Sequence, residues 1–153
     1  MTSRSLGLAA ALGSVLLLGG AFLFQLAGYP PCAMCLWQRW PHAAAIALGA
    51  VLLVWGHRGL MWLGALAMAI TGGIGVYHTG VERDWWEGPS SCTGTGGGLG
   101  DLSGADLLST DGPQLVLCDV VSWQFLTLSM ASWNALFSFA LMALWIVAAT
   151  RRT

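Results

Sequence analysis

Four long uncharged segments constrain the fold of this chain more than any other feature of its sequence. They cover approximately residues 6–28, 40–56, 60–80 and 123–149. A helix of roughly 20 apolar residues crosses about 30 Å of hydrocarbon, so each segment approaches the length of a membrane span. We predict an all-α fold for residues 1–153, a single integral membrane domain built as a transmembrane up-and-down four-helix bundle in a lipid bilayer.

Charged residues are few and unevenly distributed. They make up 8% of the chain, whereas hydrophobic residues make up 56%; about a quarter of a soluble domain is charged. All seven acidic residues lie between positions 82 and 119, within a predicted long outer loop, 81–122, between the third and fourth helices. This pattern excludes an ordinary soluble globule, and we expect no nucleic-acid partner.

The first segment has one feature of a signal peptide, because Arg4 precedes its apolar run. That run of about 22 residues exceeds the usual roughly 7–15, however, and no small-x-small cleavage site closes it well. We therefore predict a retained first helix.

The arginines predict the orientation of the bundle. Arg4, Arg58 and the Arg151–Arg152 pair fall in regions that four spans place on one side, and arginine-rich segments face the cytoplasm. Both termini are then cytoplasmic, and the outer loops 29–39 and 81–122 are periplasmic. Tryptophans fit interfacial belts at both ends: Trp37, Trp40, Trp85, Trp86 and Trp123 outside, and Trp55, Trp62 and Trp145 inside.

The four cysteines, Cys32, Cys35, Cys92 and Cys118, all fall in the outer loops, on the side where disulfides persist. A structural zinc site usually needs two closely spaced pairs, but 25 residues separate the second pair. A covalent haem needs histidine directly after the C-x-x-C, where Leu36 stands. We predict no metal, which leaves inert or active dithiol–disulfide chemistry. A C-x-x-C bridge closes too small a ring to constrain the unfolded chain much, so exchange is favoured for that pair.

Arg39 follows Cys35 by four residues, which would place both on one helical face. A cation there favours a thiolate or binds a ligand oxygen; the alternative is an arginine that snorkels at a helix end. Because Trp40 precedes Pro41, helical angles are disfavoured at Trp40. We therefore expect the second helix to begin near Trp40, with 32–39 forming an interfacial turn.

Three further polar residues are candidates for the same outer site. His78 and Glu82 have i,i+4 spacing, which suits a proton relay or a ligand head group, although each could also be the solvated end of a helix. His42 lies one turn inside the second span and could approach Arg39.

The long outer loop contains two further segments of note. Residues 94–100, rich in glycine, are predicted to be a flexible tether. Residues 101–109, "DLSGADLLS", are either a short amphipathic helix on the membrane or a loop.

Several motifs together carry a resemblance to a known family. They are "CAMCLWQR" in the first outer loop, "YHTGVE" at the end of the third span, the second cysteine pair, and "WQFLTLSMASWN" after Cys118. Over essentially its full length the chain resembles the DsbB family, the disulfide-bond formation proteins of the bacterial inner membrane. The segment between Cys92 and Cys118 is richer in glycine and aspartate than the family pattern, which bears on how that loop docks on the membrane.

The resemblance implies a thiol oxidase relay. Such proteins reoxidise a periplasmic DsbA-like thiol oxidase and pass two electrons to the membrane quinone pool, as ubiquinone or menaquinone. By the resemblance, Cys92 and Cys118 exchange with the partner, and Cys32 and Cys35 lie next to the quinone. Residues implied for the quinone site are Cys35, which contacts or adds to the ring, Arg39, which holds an oxygen, and Glu82 and Met130. From their positions in the sequence, His78 and His42 are further candidates for binding the cofactor.

Three alternatives remain at this point. One is a DsbB paralogue with a dedicated thiol partner. Another is a relay similar to vitamin K epoxide reductase, although there the quinone-proximal C-x-x-C lies near the fourth helix. A third, from a different class, is a structural or metal-binding tetraspan protein. Four cysteines allow three disulfide connectivities, which the sequence does not distinguish.

Overall fold

A computed structural model describes residues 2–89, 92 and 116–151. These residues form four helices, α1 (Ser3–Leu26), α2 (Ala33–Leu52), α3 (Arg58–Glu82) and α4 (Met130–Thr150). Two short antiparallel strands, β1 (Gln124–Phe125) and β2 (Leu128–Ser129), precede α4. The all-α prediction is confirmed. The segment predicted as a helix or loop at 101–109 lies outside the described residues.

Each helix packs against two neighbours. Helices α1 and α3 each lie between α2 and α4. Gly7 near the start of α1 lies against Leu52 at the end of α2, and Gly75 in α3 lies against Ala131 at the start of α4. Within the described part of the chain, α1, α3 and α4 are long and apolar enough to cross a membrane.

The prediction that the second helix begins near Trp40 is wrong, because α2 begins at Ala33 and continues through Pro41. Proline inside a helix removes a hydrogen bond and costs about 3 kcal/mol. Two features offset this cost. Cys32 caps the first turn by accepting a hydrogen bond from the Cys35 N–H, and α2 buries a continuous face: Met34, Gln38, His42 and Ala45.

The predicted fourth segment, 123–149, begins too early for the helix. Leu126 and Thr127 have φ angles of 50° and 65°, which turn the chain sharply between β1 and β2. Ser129 then caps α4 by accepting a hydrogen bond from the Ser132 N–H at 3.2 Å. An apolar run without charges cannot reveal such a turn, because its hydropathy resembles that of the helix that follows.

The end of the bundle opposite the cysteines contains the main apolar core. Trp145, Leu52 and Met61 are fully or nearly fully buried there, and Gly64 lies directly beneath the Trp145 indole. The assignment of Trp145 to an interfacial belt is therefore wrong. Arginine side chains form hydrogen bonds between helix termini in this part of the bundle. Arg4 donates to the Leu53 carbonyl, and Arg58 donates to the Arg151 carbonyl.

Candidate active site

The two cysteine pairs lie side by side at one end of the bundle. Cys92 and Cys118 form a disulfide, whereas Cys32 and Cys35 are free thiols with their sulfurs 2.8 Å apart. Cys32 Sγ, Cys118 Sγ and a ring nitrogen of His78 all lie within 4.8 Å of one another. The fold thus brings Cys118 to the C-x-x-C across more than 80 residues of sequence.

The start of α2 differentiates the two thiols of the C-x-x-C. Cys32 Sγ accepts a hydrogen bond from the Cys35 N–H at 3.2 Å, while the Cys32 thiol donates to Cys35 Sγ. This hydrogen bond to Cys35, followed by burial, raises the pKa of Cys32 above that of a free thiol. Cys35, which accepts the bond, is the sulfur better placed to carry negative charge.

His78 connects Cys32 to Glu82. Its Nε2 lies 3.6 Å from Cys32 Sγ and 3.9 Å from Glu82 Oε1, and both side chains are buried. The Gln38 amide nitrogen lies 3.0 Å from His78 Nδ1. Because an amide nitrogen only donates, neutral His78 carries its proton on Nε2, facing Cys32 and Glu82. The buried side chains of His78 and Glu82 are therefore not the solvated end of a helix.

A chain of hydrogen bonds continues from Gln38 into the bundle through the half-buried Asn134. Asn134 Nδ2 donates to Gln38 Oε1 at 2.7 Å and to Thr71 Oγ1 at 3.1 Å. Its Oδ1 lies 2.9 Å from His42 Nε2, which therefore donates. His42 is thus linked to His78 through two amides, while Arg39, which the sequence suggested His42 could approach, bonds Gln25.

A cavity of about 480 Å³ opens beside the C-x-x-C, between α1, α2 and the start of α4. Seven of the nine predicted site residues line it: Cys32, Cys35, Arg39, His42, His78, Glu82 and Met130. Much of the remaining lining is aromatic, with Phe24, Trp123, Phe125, Trp133 and Phe137. The cavity is therefore mostly apolar, with two thiols and a cation in its wall.

The guanidinium group of Arg39 is held toward α1. Its Nη1 donates to Gln25 Oε1 at 2.8 Å, and its Cζ lies 4.9 Å above the Phe22 ring. As the continuous α2 requires, Arg39 and Cys35 share one face. The arginine head group therefore belongs to the cavity wall.

Sequence reasoning missed Gln38 and Asn134, the two amides that orient the histidines. Gln38 is 5% exposed, and Asn134 bonds three partners. The available signal was a strongly polar side chain within a helix of a very apolar chain, which is costly in a membrane and marks a functional or packing role.

Apolar helices long enough to cross a membrane, with a dithiol in contact with a disulfide at one end, are typical of membrane proteins that form disulfide bonds. The comparison with known families agrees: residues 3–148 match the family described as Disulfide bond formation protein DsbB. The chain belongs to this family, and is thus a disulfide-forming oxidoreductase of bacterial membranes.

Two relatives illustrate the similarity. The chain is 26% identical over 157 residues to a Disulfide bond formation protein B of Polaromonas sp., covering 99% of this chain and 92% of the relative. It is 30% identical over 144 residues to a Disulfide bond formation protein B of Azoarcus sp., covering 88% and 85%. No solved structure matches.

Proposed function

We propose that this protein is a membrane thiol–quinone oxidoreductase, which reoxidises a DsbA-like periplasmic thiol oxidase and passes the electrons to a membrane quinone. One observation carries the proposal. A reduced C-x-x-C lies between the Cys92–Cys118 disulfide on one side and an apolar cavity on the other. That order matches a relay with a thiol donor at one end and a lipid-soluble acceptor at the other.

The cysteine positions support a balanced sequence of exchanges. The reduced partner transfers two electrons to the Cys92–Cys118 disulfide, which opens to two thiols as the partner closes its own disulfide. Cys118 then attacks Cys32 of an oxidised Cys32–Cys35 pair and releases the Cys35 thiolate. Cys92 resolves the Cys118–Cys32 bond, so that the outer disulfide re-forms and the C-x-x-C is reduced.

The neighbours of Cys32 support the proton handling that these steps need. His78 Nε2–H faces Cys32 Sγ and donates toward it when Cys32 leaves as a thiolate. Glu82 Oε1, 3.9 Å from the same nitrogen, is a second acceptor that this N–H faces. Gln38 fixes the ring in this tautomer.

The cavity fits a quinone, which when bound accepts two electrons and two protons. Its aromatic lining suits a flat ring, and its wall carries Cys35 as electron donor. Arg39 would hold a ring oxygen and stabilise negative charge there. Met130 and His42 line the same cavity and would limit where the quinone ring can lie.

The same proposal covers placement in the membrane. All four helices cross the bacterial inner membrane as an up-and-down bundle, with both termini cytoplasmic and the cysteines periplasmic. Arg4 and Arg58, which bond carbonyls at the end opposite the cysteines, support this orientation. Helix α2, the least apolar, crosses with its polar face turned to α3 and α4.

The test is quinone consumption by the full chain in detergent, with a reduced DsbA-type protein as donor and a soluble ubiquinone analogue as acceptor. We expect the native chain to consume quinone and Cys35→Ser to lose turnover entirely, because the terminal thiol is gone. Leu36→Ser, which places the same residue on the exposed neighbouring position, should retain turnover.

The proposal would be contradicted if the native chain consumed no quinone and its cysteines did not react with an alkylating reagent. That result would favour a structural role for the cysteines. Equal turnover by the native chain and Cys35→Ser would contradict the assignment of Cys35.

A further inference from the structure

We propose that the protein, once its Cys92–Cys118 disulfide is reduced, binds one soft divalent cation such as Zn²⁺ or Cd²⁺ through Cys32, Cys35, Cys118 and His78. A zinc site is not expected from the sequence, because Cys92 and Cys118 are too far apart to form a second closely spaced pair. The fold supplies the second half of the site differently, with Cys118 alone and a histidine from α3.

Three of the four ligand atoms, Cys32 Sγ, Cys118 Sγ and a His78 ring nitrogen, already lie within 4.8 Å of one another, whereas Cys35 Sγ lies outside that group and has to move toward it. Zinc–sulfur bonds of about 2.3 Å and zinc–nitrogen bonds of about 2.0–2.1 Å give ligand-to-ligand separations of roughly 3.5–3.8 Å. Cys32 Sγ and His78 Nε2 are 3.6 Å apart. Cys118 Sγ lies within 4.8 Å of both, while the Cys32–Cys35 separation of 2.8 Å has to open by about 1 Å. Side-chain rotations of the freed Cys118 thiol and of Cys35 would make the remaining approach.

The first turn of α2 already has the form of a metal-binding half-site. A C-x-x-C whose first cysteine accepts a hydrogen bond from the second cysteine's N–H presents two sulfurs to one point. Cys32, Cys118 and His78 are each more than nine-tenths buried. Three thiolates and a neutral imidazole around a divalent cation leave a net charge of −1, much less than the three unpaired thiolates would carry.

Binding is gated by the redox state of Cys118. A disulfide sulfur is not a thiolate ligand, so the disulfide must first take two electrons from a dithiol or a phosphine. The cation then displaces three thiol protons and bonds the three sulfurs. Bound this way, Cys32 and Cys118 are both unavailable for exchange, so the cation arrests the thiols in their fully reduced state.

The amide chain provides the outer partner that a ligating histidine needs. Coordination by His78 Nε2 moves its proton to Nδ1, which then donates to Gln38. The Gln38 and Asn134 amides rotate in the same sense and the His42 proton moves from Nε2 to Nδ1, so that each link from His78 to His42 keeps one donor and one acceptor while the Gln38 bond to the Met34 carbonyl is given up. The Gln38 amide can therefore accept from or donate to His78 Nδ1, and so pairs with either tautomer of His78.

The test compares two full-length variants with the same number of thiols, both reduced with a phosphine and kept in detergent. Cys92→Ser retains all four proposed ligands, whereas Cys118→Ser retains Cys92 in place of Cys118. We titrate each with Cd²⁺ and follow the sulfur-to-cadmium charge-transfer absorbance. We expect one equivalent to bind Cys92→Ser, and binding by Cys118→Ser to be weaker by about 100-fold, because one of four ligands is lost.

A ¹¹³Cd resonance keeps the proposal testable if a variant folds poorly. Cys92→Ser should give a single resonance in the range of three sulfurs and one nitrogen, and His78→Gln should shift it. Equal affinities of the two variants, or a resonance in the two-sulfur range, would overturn the site. No quinone or thiol partner is present, so the outcome is independent of the proposed function.

Discussion

The two ends of the bundle are built on different principles. The end that contains Trp145 is closed by apolar packing, with Gly64 giving the indole room against α3. The cysteine end buries Gln38 and His78, half-buries Asn134, and joins the three through one hydrogen-bonded chain. One end is filled with side chains, and the other leaves a cavity of about 480 Å³.

The difference shows how a small membrane bundle separates stability from chemistry. Dense packing at one end holds the helices in register, so the other end can keep a cavity and a set of paired polar side chains. Buried polar groups are costly unless they are paired, and they are concentrated at the cysteine end, where we propose that the chemistry takes place. Changes at the two ends should accordingly have different consequences.

The largest of these effects concerns activity at the cysteine end. Arg39→Ala should lower kcat/KM for the quinone by about 10–100-fold, because hydrogen bonds to charged groups contribute about 1.5–3 kcal/mol. Steady-state turnover at varied quinone concentration measures this. Arg39→Lys should recover part of the loss.

Arg83 offers a matched control on the same outer surface, since it bonds the Thr127 carbonyl and does not line the cavity. Arg83→Ala should leave quinone kinetics near native. If both alanine variants lost activity equally, general surface charge rather than the cavity cation would be responsible.

The packed end should respond in stability instead. An alanine Cβ at Gly64 would stand 2.5 Å from two atoms of the Trp145 indole, so Gly64→Ala should lower the free energy of unfolding by about 1–3 kcal/mol. Unfolding of the detergent-solubilised chain, followed by tryptophan fluorescence, measures this.

Gly73 lies on the same helix, and a Cβ there would meet nothing within 4 Å. Gly73→Ala should be neutral or stabilise by up to about 1 kcal/mol through helix propensity. Comparable losses in the two variants would mean that helix α3 is packed differently from this account.

The smallest expected effect comes from the hydrogen-bonded chain. Asn134→Ala should lower the free energy of unfolding by about 1–2 kcal/mol, since hydrogen bonds within membrane bundles contribute about 0.6 kcal/mol on average and up to about 1.7. Ser138, one turn further along α4, has no hydrogen-bond partner for its hydroxyl among the described residues. Ser138→Ala should therefore be neutral or stabilising in the same unfolding assay. An equal loss of unfolding free energy in Ser138→Ala would contradict a stabilising role for the hydrogen bonds of Asn134.

Much of this architecture could be predicted from the sequence, because hydropathy and charge placement report directly on long apolar helices. Helices α1 and α3 end within about four residues of their predicted bounds. The start of α2 could not be predicted, because a cysteine cap and a buried face outweigh the local preference against helix before Pro41.

The features of the candidate site likewise divide into those that the sequence predicts and those that it does not. Cys35 and Arg39 share a face through local spacing, which a sequence displays. The approach of Cys118 to Cys32 and the bridge from Gln38 to Asn134 join distant parts of the chain, and depend on how three helices pack. The sequence therefore predicted which side chains share a helix face, but not which distant side chains they contact.

The most direct test of the central claim, that the two cysteine pairs meet through Cys118 and Cys32, is a disulfide-trapping measurement. The double variant Cys35→Ser/Cys92→Ser retains only those two cysteines, and mild oxidation followed by peptide mass analysis reports their bond. We predict rapid and nearly complete Cys32–Cys118 bonding, with much slower bonding in the matched variant Cys35→Ser/Cys118→Ser, which retains Cys32 and Cys92. Slow bonding in the first variant, or equal rates in both, would contradict the account.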